Sequence, residues 1–356
     1  MALWPTELTA QGINDYTIFT FGLQAMNAGH WDMVGHDGAV RSLRRAVTAG
    51  NVSHAYLFTG PPGVGRTTLA RRLASALLCG QEDVTERPCG DCRACGLIRS
   101  GTHPDVHIVE SEHPGGSLKI DLVRQLERTL SLTPVEGRRQ VAVLRRFEEA
   151  TASAANALLK TLEEPPSSAL LVVVAREADL LLPTIVSRCQ HVPLRPLPVA
   201  TVRQALEEKW GATVEQAELL AHLSGGRLGW AVRTLEDTQG LARRARRLDD
   251  LAELIDGSVI ERFRYVEKLA QDPVATQETL DVWIGWWRDV LLIASEADAV
   301  LTNVDRQDEL RNCARSFGVV GSADMVRALR NAVEKLRQNA NPRLTLEVLM
   351  LDLPRT

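Results

Sequence analysis

The stretch "LFTGPPGVGRTTLARRLASALLCG", residues 57–80, constrains the fold more than any other part of the chain. It follows the phosphate-loop pattern G-x-x-x-x-G-K-[ST], with Gly60, Gly63, Gly65, Thr67 and Thr68 in the frame and Arg66 in the lysine position. Before it, "HAYLFTG" (54–60) is a short apolar run ending in glycine, the signature of a buried strand. After it, "TTLARRLASALLC" (67–79) places Leu69, Leu73, Ala76 and Leu77 at helical spacing. Strand, glycine loop and helix are the setting in which backbone N–H groups converge on phosphates. Arg66 keeps the charge but not the shape of lysine, because a planar guanidinium is bulkier than an ammonium group.

Further apolar runs, "DVHIVE" (105–110), "QVAVL" (140–144) and "ALLVVVA" (169–175), alternate with the helical stretches 119–132 and 151–164. That alternation predicts an α/β domain with a parallel sheet covered on both faces. Beyond residue 198 the strand signal disappears. Short amphipathic helices are expected at 199–210, 214–224 and 227–237, with "SGGR" (224–227) as a turn. Longer helical runs follow, including 280–295 and 325–338. The expected organisation is a loose and disordered extension over 1–30, a P-loop α/β domain over 31–198, a small helical lid over 199–240, and an all-α C-terminal domain over 241–356. The Arg pairs at 243–244 and 246–247 read as a solvated helix face. Trp283, Trp286 and Trp287 share one helix face and read as packing residues.

A phosphate loop that hydrolyses its nucleotide also needs acids at the end of a neighbouring strand, to hold magnesium and to polarise water. "QVAVL" ends instead in Arg145 and Arg146, two cations expected to repel magnesium. The nearest acids, Glu148 and Glu149, are expected at the solvated start of the next helix, where a helix dipole favours them.

Cys79, Cys89, Cys92 and Cys95 form C-x9-C-x2-C-x2-C, while Cys189 and Cys313 stand apart. The segment between the first four is polar and rich in glycine, so burial alone would not hold its shape. With no signal peptide at the start of the sequence, metal is favoured over disulfides. Four thiolates suit a structural, tetrahedral zinc and leave no position open for catalysis. The net charge of −4 argues against a stand-alone nucleic-acid binder. No apolar run reaches the ~18 residues of a membrane span, so the expected place is the cytoplasm, with no membrane partner.

The cysteine insert after a phosphate-loop helix, together with "NALLKTLEEPP" (156–166) and "LLPTIVSRCQ" (181–190), resembles the clamp-loader subunits of bacterial DNA polymerase III, a branch of the AAA+ family. The resemblance covers residues 31–353 and includes the tail "NANPRLTLEVLMLDLP" (339–354), similar to a collar-domain end. It implies an AAA+ module, a lid and a collar. Aligned on these motifs, the family's loop lysine falls at Arg66 and its acidic pair at Arg145 and Arg146. Its polar sensor falls near Ala175 or Arg176. These departures resemble the delta-prime type, which has a degenerate ATP site, more than the gamma/tau type, which hydrolyses ATP. The resemblance also implies that Arg188 is an arginine finger acting in trans on the ATP of a neighbouring subunit, and it matches Arg227 to the second sensor. ATP is then expected at neighbouring subunits and weakly or not at all here, with no ATPase in the isolated chain. The implied partners are the gamma/tau and delta type subunits and, through the complex, the sliding clamp and primed DNA. Two alternatives stand beside this one: a gamma-like ATPase with an atypical loop, and a DNA-repair AAA+ protein outside the clamp loader.

Overall fold

The computed structural model describes residues 31–354 apart from 238 and 339. The expectation for residues 1–30 lies outside the described residues. Helix α1 (Asp37–Thr48) leads into β1 (Ala55–Thr59), the phosphate loop and α2 (Arg66–Leu78). There follow α3 (Arg93–Ser100), β2 (Val106–Val109), α4 (Ile120–Leu130), β3 (Gln140–Leu144), α5 (Ala152–Glu163), β4 (Ala169–Ala175), α6 (Pro183–Val186) and β5 (Gln190–Pro193). The strands form one parallel sheet in the order β2-β3-β4-β1-β5.

Every residue of β1, β3 and β4 is buried, as expected of strands covered on both faces. Alternation along the strands divides the core in two. Tyr56, Phe58, Val172 and Val174 pack with Leu69 and Leu73 of α2. Leu57, Leu171 and Val173 pack on the other face with Leu126, Leu158 and Leu162. Strand β5 has no apolar run, and only Val192 of its four residues is buried. It forms because β1 supplies a free edge, pairing Tyr56 with Gln190 and Thr59 with Pro193. Its proline ends the strand, where a missing N–H costs least.

Helices α7 (Val199–Trp210), α8 (Val214–Leu223) and α9 (Leu228–Glu236) share a third core around Val202, Leu206, Leu220 and Ala231. Thr213 and Gln216 form a capping box at the start of α8, fixing its first turn. The last five helices are α10 (Gly240–Asp256), α11 (Val259–Leu269), α12 (Pro273–Ala294), α13 (Gln307–Arg337) and α14 (Pro342–Asp352). Their core centres on Trp283 and Trp287, both fully buried, with Trp286 nearly so. Helix α13 is two helices joined at Gly318, whose φ of 59° favours a residue without a side chain. Ser258 with Glu261 caps α11, and Asp272 and Asn341 cap α12 and α14 ahead of a proline.

One expectation here was wrong in kind. Arg244 does not decorate a solvated face: it is buried, bonding Asp305 at 2.6 Å and Asn303 at 2.5 Å. Among the described residues no helix is long and apolar enough to cross a membrane.

Candidate nucleotide site and metal centre

The loop glycines are fixed by backbone geometry. Gly60, Gly63 and Gly65 have φ of 140°, 85° and 114°, which L side chains rarely adopt. A Cβ on Gly60 would also lie 2.3 Å from the Leu194 carbonyl oxygen. Gly65 starts α2 without a side-chain cap. Among the described residues, nothing accepts from the N–H groups of Gly63, Gly65, Arg66, Thr67 and Thr68, so they form an unpaired donor set at the helix N-terminus. The small helical unit reaches the loop directly, because the Gly229 N–H donates to the Gly63 carbonyl at 2.8 Å.

Arg66, at the lysine position, is only 9% exposed, and its Nη1 is buried without a hydrogen-bond partner. Burial presses its pKa down to about 10, partly opposed by the Glu148 carboxylate and reinforced by the charges of Arg176 and Arg145. Glu148 lies on a single 3-10 turn, Phe147–Glu149, well before α5 begins behind the Thr151 cap. It is not on a solvated helix start, as the sequence suggested. Its Oε1 lies 3.5 Å from Arg176 Nε, and its Oε2 is buried without a hydrogen-bond partner.

The pair at the end of β3 is held by Glu110, which the sequence analysis did not single out, and by Glu149, which it placed on a solvated helix start. Arg145 bonds Glu110 at 3.1 Å, and Arg146 bonds Glu110 at 2.6 Å and Glu149 at 3.0 Å. Arg146 turns toward them through a left-handed backbone, with φ of 49°. Glu149 also accepts from Ser111 Oγ and, at 2.8 Å, from the Gly115 N–H. The two arginines are therefore not bare cations, as the sequence suggested, but paired ones. Glu110 and Glu149 are engaged by these guanidinium groups, whereas Glu148 meets Arg176 through Oε1 alone and keeps Oε2 unpaired.

Arg227 makes its contacts within its own helical unit. Its Nε donates to the Ser224 carbonyl at 2.7 Å, and its guanidinium lies 5.7 Å from the Trp230 ring centroid. Gly229, Trp230 and Arg233 of this unit lie against Gly63 of the loop. Arg188 lies in the turn between α6 and β5, away from these contacts. Its Nη1 donates to the Thr184 carbonyl at 3.0 Å, and its Nη2 pairs with Glu163 at 2.7 Å; its side chain is 35% exposed.

The four cysteines come together as their spacing suggested. Cys79 ends α2, Cys92 is the N-cap of α3 and Cys95 lies in its first turn. Their sulfurs, with that of Cys89, all lie within 4.8 Å of one another, with Cys79 to Cys89 at 3.5 Å and Cys79 to Cys92 at 3.8 Å. A tetrahedron with Zn–S of about 2.3 Å has edges of about 3.8 Å, so the set fits a metal ion. The N–H groups of Gly80, Cys89 and Cys92 each donate to a cysteine sulfur at 3.4 Å, which favours thiolate. Helix α2 links this centre to the loop, since Arg71 in its middle bonds the Ile98 carbonyl at 2.8 Å. Between loop, cysteine insert and small helical unit lies a cavity of about 200 Å³, lined by Thr68, Ile98, Arg145, Leu228 and Val232 among others.

A family model described as "DNA polymerase III, delta subunit" matches residues 35–198. The DNA polymerase III delta-prime subunit of Bacillus subtilis is 28% identical over 318 residues, covering 88% of this chain and 94% of that protein. The delta-prime subunit of Pseudomonas aeruginosa is 36% identical over 236 residues, covering 65% and 66%. The gamma/tau subunit of Mycobacterium tuberculosis is 29% identical over 348 residues; the match covers 89% of this chain and 59% of that longer protein. Among solved structures, a gamma subunit-related protein from Thermotoga maritima is matched at 21% identity and a TM-score of 0.39, over 87% of this chain and 97% of that one.

Proposed function

Since the chain belongs to the DNA polymerase III clamp-loader family of delta-prime and gamma/tau subunits, we propose that it works there as a delta-prime-like subunit that does not hydrolyse ATP itself. One observation supports the loss of hydrolysis: where the end of β3 would need an acidic pair, Arg145 and Arg146 stand instead and take up Glu110 and Glu149. Magnesium needs oxygen ligands and the attacking water needs a carboxylate to orient it. The end of β3 supplies neither, and the unpaired carboxylate oxygen nearby, Glu148 Oε2, is buried. In this reading residues 31–198 are the AAA+ module, 199–240 the lid and 241–356 the collar. Gly60, Gly63, Gly65, Arg66, Thr67 and Thr68 are the remains of the nucleotide site. The purified chain is expected to show no ATP turnover above background. Turnover that Arg66→Ala or Thr67→Ala abolishes would refute this.

Arg188 supplies the chemistry that the chain gives to others, as a finger reaching ATP on a neighbouring gamma/tau-type subunit. Other partners are a delta-type subunit and, through the complex, the sliding clamp and primed DNA. The collar end offers a surface for assembly: Leu344, Val348 and Leu351 are exposed along one side of α14, at 61%, 42% and 60%. The reading places the chain in the cytoplasm.

The cysteine centre is read as structural zinc held by Cys79, Cys89, Cys92 and Cys95. The ion would tie the end of α2 to the start of α3 and to Cys89 in the loop between them. One equivalent of zinc per chain is expected by elemental analysis. Removal by a strong chelator should increase amide exchange and proteolysis over residues 79–100, leaving the sheet protected. A metal-free chain with the same protection there would refute the structural role.

A second reading is a gamma-like ATPase in which Glu148 takes over from the missing acids. The position of Glu148 near Arg66 favours it. Arg176, which already pairs with that carboxylate, opposes it. The same turnover assay separates the two.

A further inference from the structure

The turn that carries Arg188 hangs between two anchors of unequal strength. On one side α6 is pinned by Ile185, which is fully buried, and the N–H groups of Ser187, Arg188 and Cys189 donate back to the carbonyls of Pro183, Ile185 and Val186. On the other side Cys189 alone separates Arg188 from β5, the edge strand in which only Val192 is buried. A strand with so little burial takes its position from its neighbour, and β5 pairs with β1 alone. Beyond the backbone ladder, a side-chain bond crosses between the two strands. Thr59, at the end of β1, is 5% exposed, and its Oγ1 lies 2.7 Å from Nε2 of His191 on β5. The Thr59 carbonyl also accepts from the Leu194 N–H at 2.8 Å, so hydroxyl and carbonyl both hold the edge strand. Gly60 makes room for this approach, since a Cβ there would lie 2.3 Å from the Leu194 carbonyl oxygen. Parallel pairing sets Leu57 opposite His191, so Leu57, Thr59 and His191 share the sheet face on which Ile185 and Cys189 pack.

We infer that Thr59 and His191 are positioning residues for Arg188: their hydrogen bond fixes β5 on β1 and so sets where the guanidinium stands relative to the ATP of a neighbouring subunit. The inference rests on the reading of Arg188 as a finger acting in trans. It gives the end of β1 a task that outlasts the loss of hydrolysis in this chain.

The test is single-turnover hydrolysis over a range of ATP concentrations, in the clamp loader reassembled from the full chain and its ATP-binding subunits. Thr59→Val keeps the shape of the side chain and removes the hydroxyl. It is expected to lower the maximal rate at the neighbouring site by about 10- to 100-fold, the scale of misplacing a catalytic group by about 1 Å. The ATP concentration at half-maximal rate and the assembly of the complex should not change. Thr59→Ser, which returns the hydroxyl, should restore the rate. His191 is exposed, so His191→Ala removes the same bond from the outside; it should match Thr59→Val, and it stands even if that variant fails to fold. In an Arg188→Ala background neither change should cost anything further, because both act through that guanidinium. A normal rate in His191→Ala, a loss that Thr59→Ser does not restore, or a further loss on top of Arg188→Ala overturns the positioning role and leaves the finger reading intact. Full turnover in Arg188→Ala overturns the finger reading and this inference with it.

Discussion

In a clamp loader reassembled with its ATP-binding subunits, Arg188→Ala is expected to cut ATP turnover at the neighbouring site by about 10³-fold or more, the usual range for losing an arginine finger, while the complex still assembles. A finger must be positioned without being buried, and Arg188 meets both demands. The Thr184 carbonyl holds its Nη1, and the turn that carries it is fixed between α6 and the edge strand β5. Its other contact, Glu163, is itself 53% exposed. A solvated pair of this kind contributes about 0–1 kcal/mol. The guanidinium can therefore leave it for a phosphate at little cost, and Glu163→Gln should change turnover only slightly. Arg188→Lys should not rescue, because one ammonium cannot reproduce the planar fork. Single-turnover hydrolysis with size-exclusion chromatography reads both quantities. Unchanged turnover in Arg188→Ala, or lost assembly with normal turnover per assembled complex, would make Arg188 structural.

The sequence made the elements legible wherever burial was continuous. "AYLFT", "QVAVL" and "ALLVVVA" are covered on both faces, so each reads as an unbroken apolar run. The cysteine centre was legible for a different reason: a metal needs fixed donors at short spacing, and spacing is local. Strand β5 was not visible, because its pairing comes from β1, about 130 residues away, and its side chains are mostly exposed. The chemistry of the phosphate site was legible only in part. Arg66, Arg145 and Arg146 could be read as losses, but Glu110 as partner of both β3 arginines depends on two parallel strands lying side by side. Nor could sequence show that Arg227 folds back on Ser224 while Gly229 meets the loop, since adjacent positions at a helix start point in different directions. Ion pairs and loop contacts are tertiary facts, and a single chain carries no local signal for them.

The largest effect on stability is expected from Arg262→Met. Arg262 is 1% exposed on α11 and is the hub of the C-terminal helices. Its Nε donates to the Leu254 carbonyl at 2.7 Å and its Nη2 to that of Ile255 at 2.9 Å, both in the last turn of α10. Its Nη1 donates to the Met350 and Leu353 carbonyls, both at 2.9 Å, and its Nη2 to that of Pro354 at 3.2 Å, around the end of α14. The last carbonyls of a helix have no partner within it and carry the negative end of its dipole. One guanidinium thus satisfies two helix ends and joins the start of the proposed collar to its finish. Methionine fills similar space but donates nothing, leaving five carbonyls to find water in a closed core. At about 1–3 kcal/mol for each buried group left unpaired, and with some rehydration as the ends loosen, the expected loss is about 3–5 kcal/mol. Arg262→Lys should fall between, since an ammonium has three donors for five acceptors. Denaturant unfolding measures the loss, and amide exchange locates it: α14 should lose protection first, with the sheet unchanged. A change below about 1 kcal/mol, the scale of an ordinary surface substitution, would show that Arg262 does not hold these helix ends. If α14 carries the assembly surface, the same variant should also fail to enter the clamp loader while its cysteine centre still holds zinc.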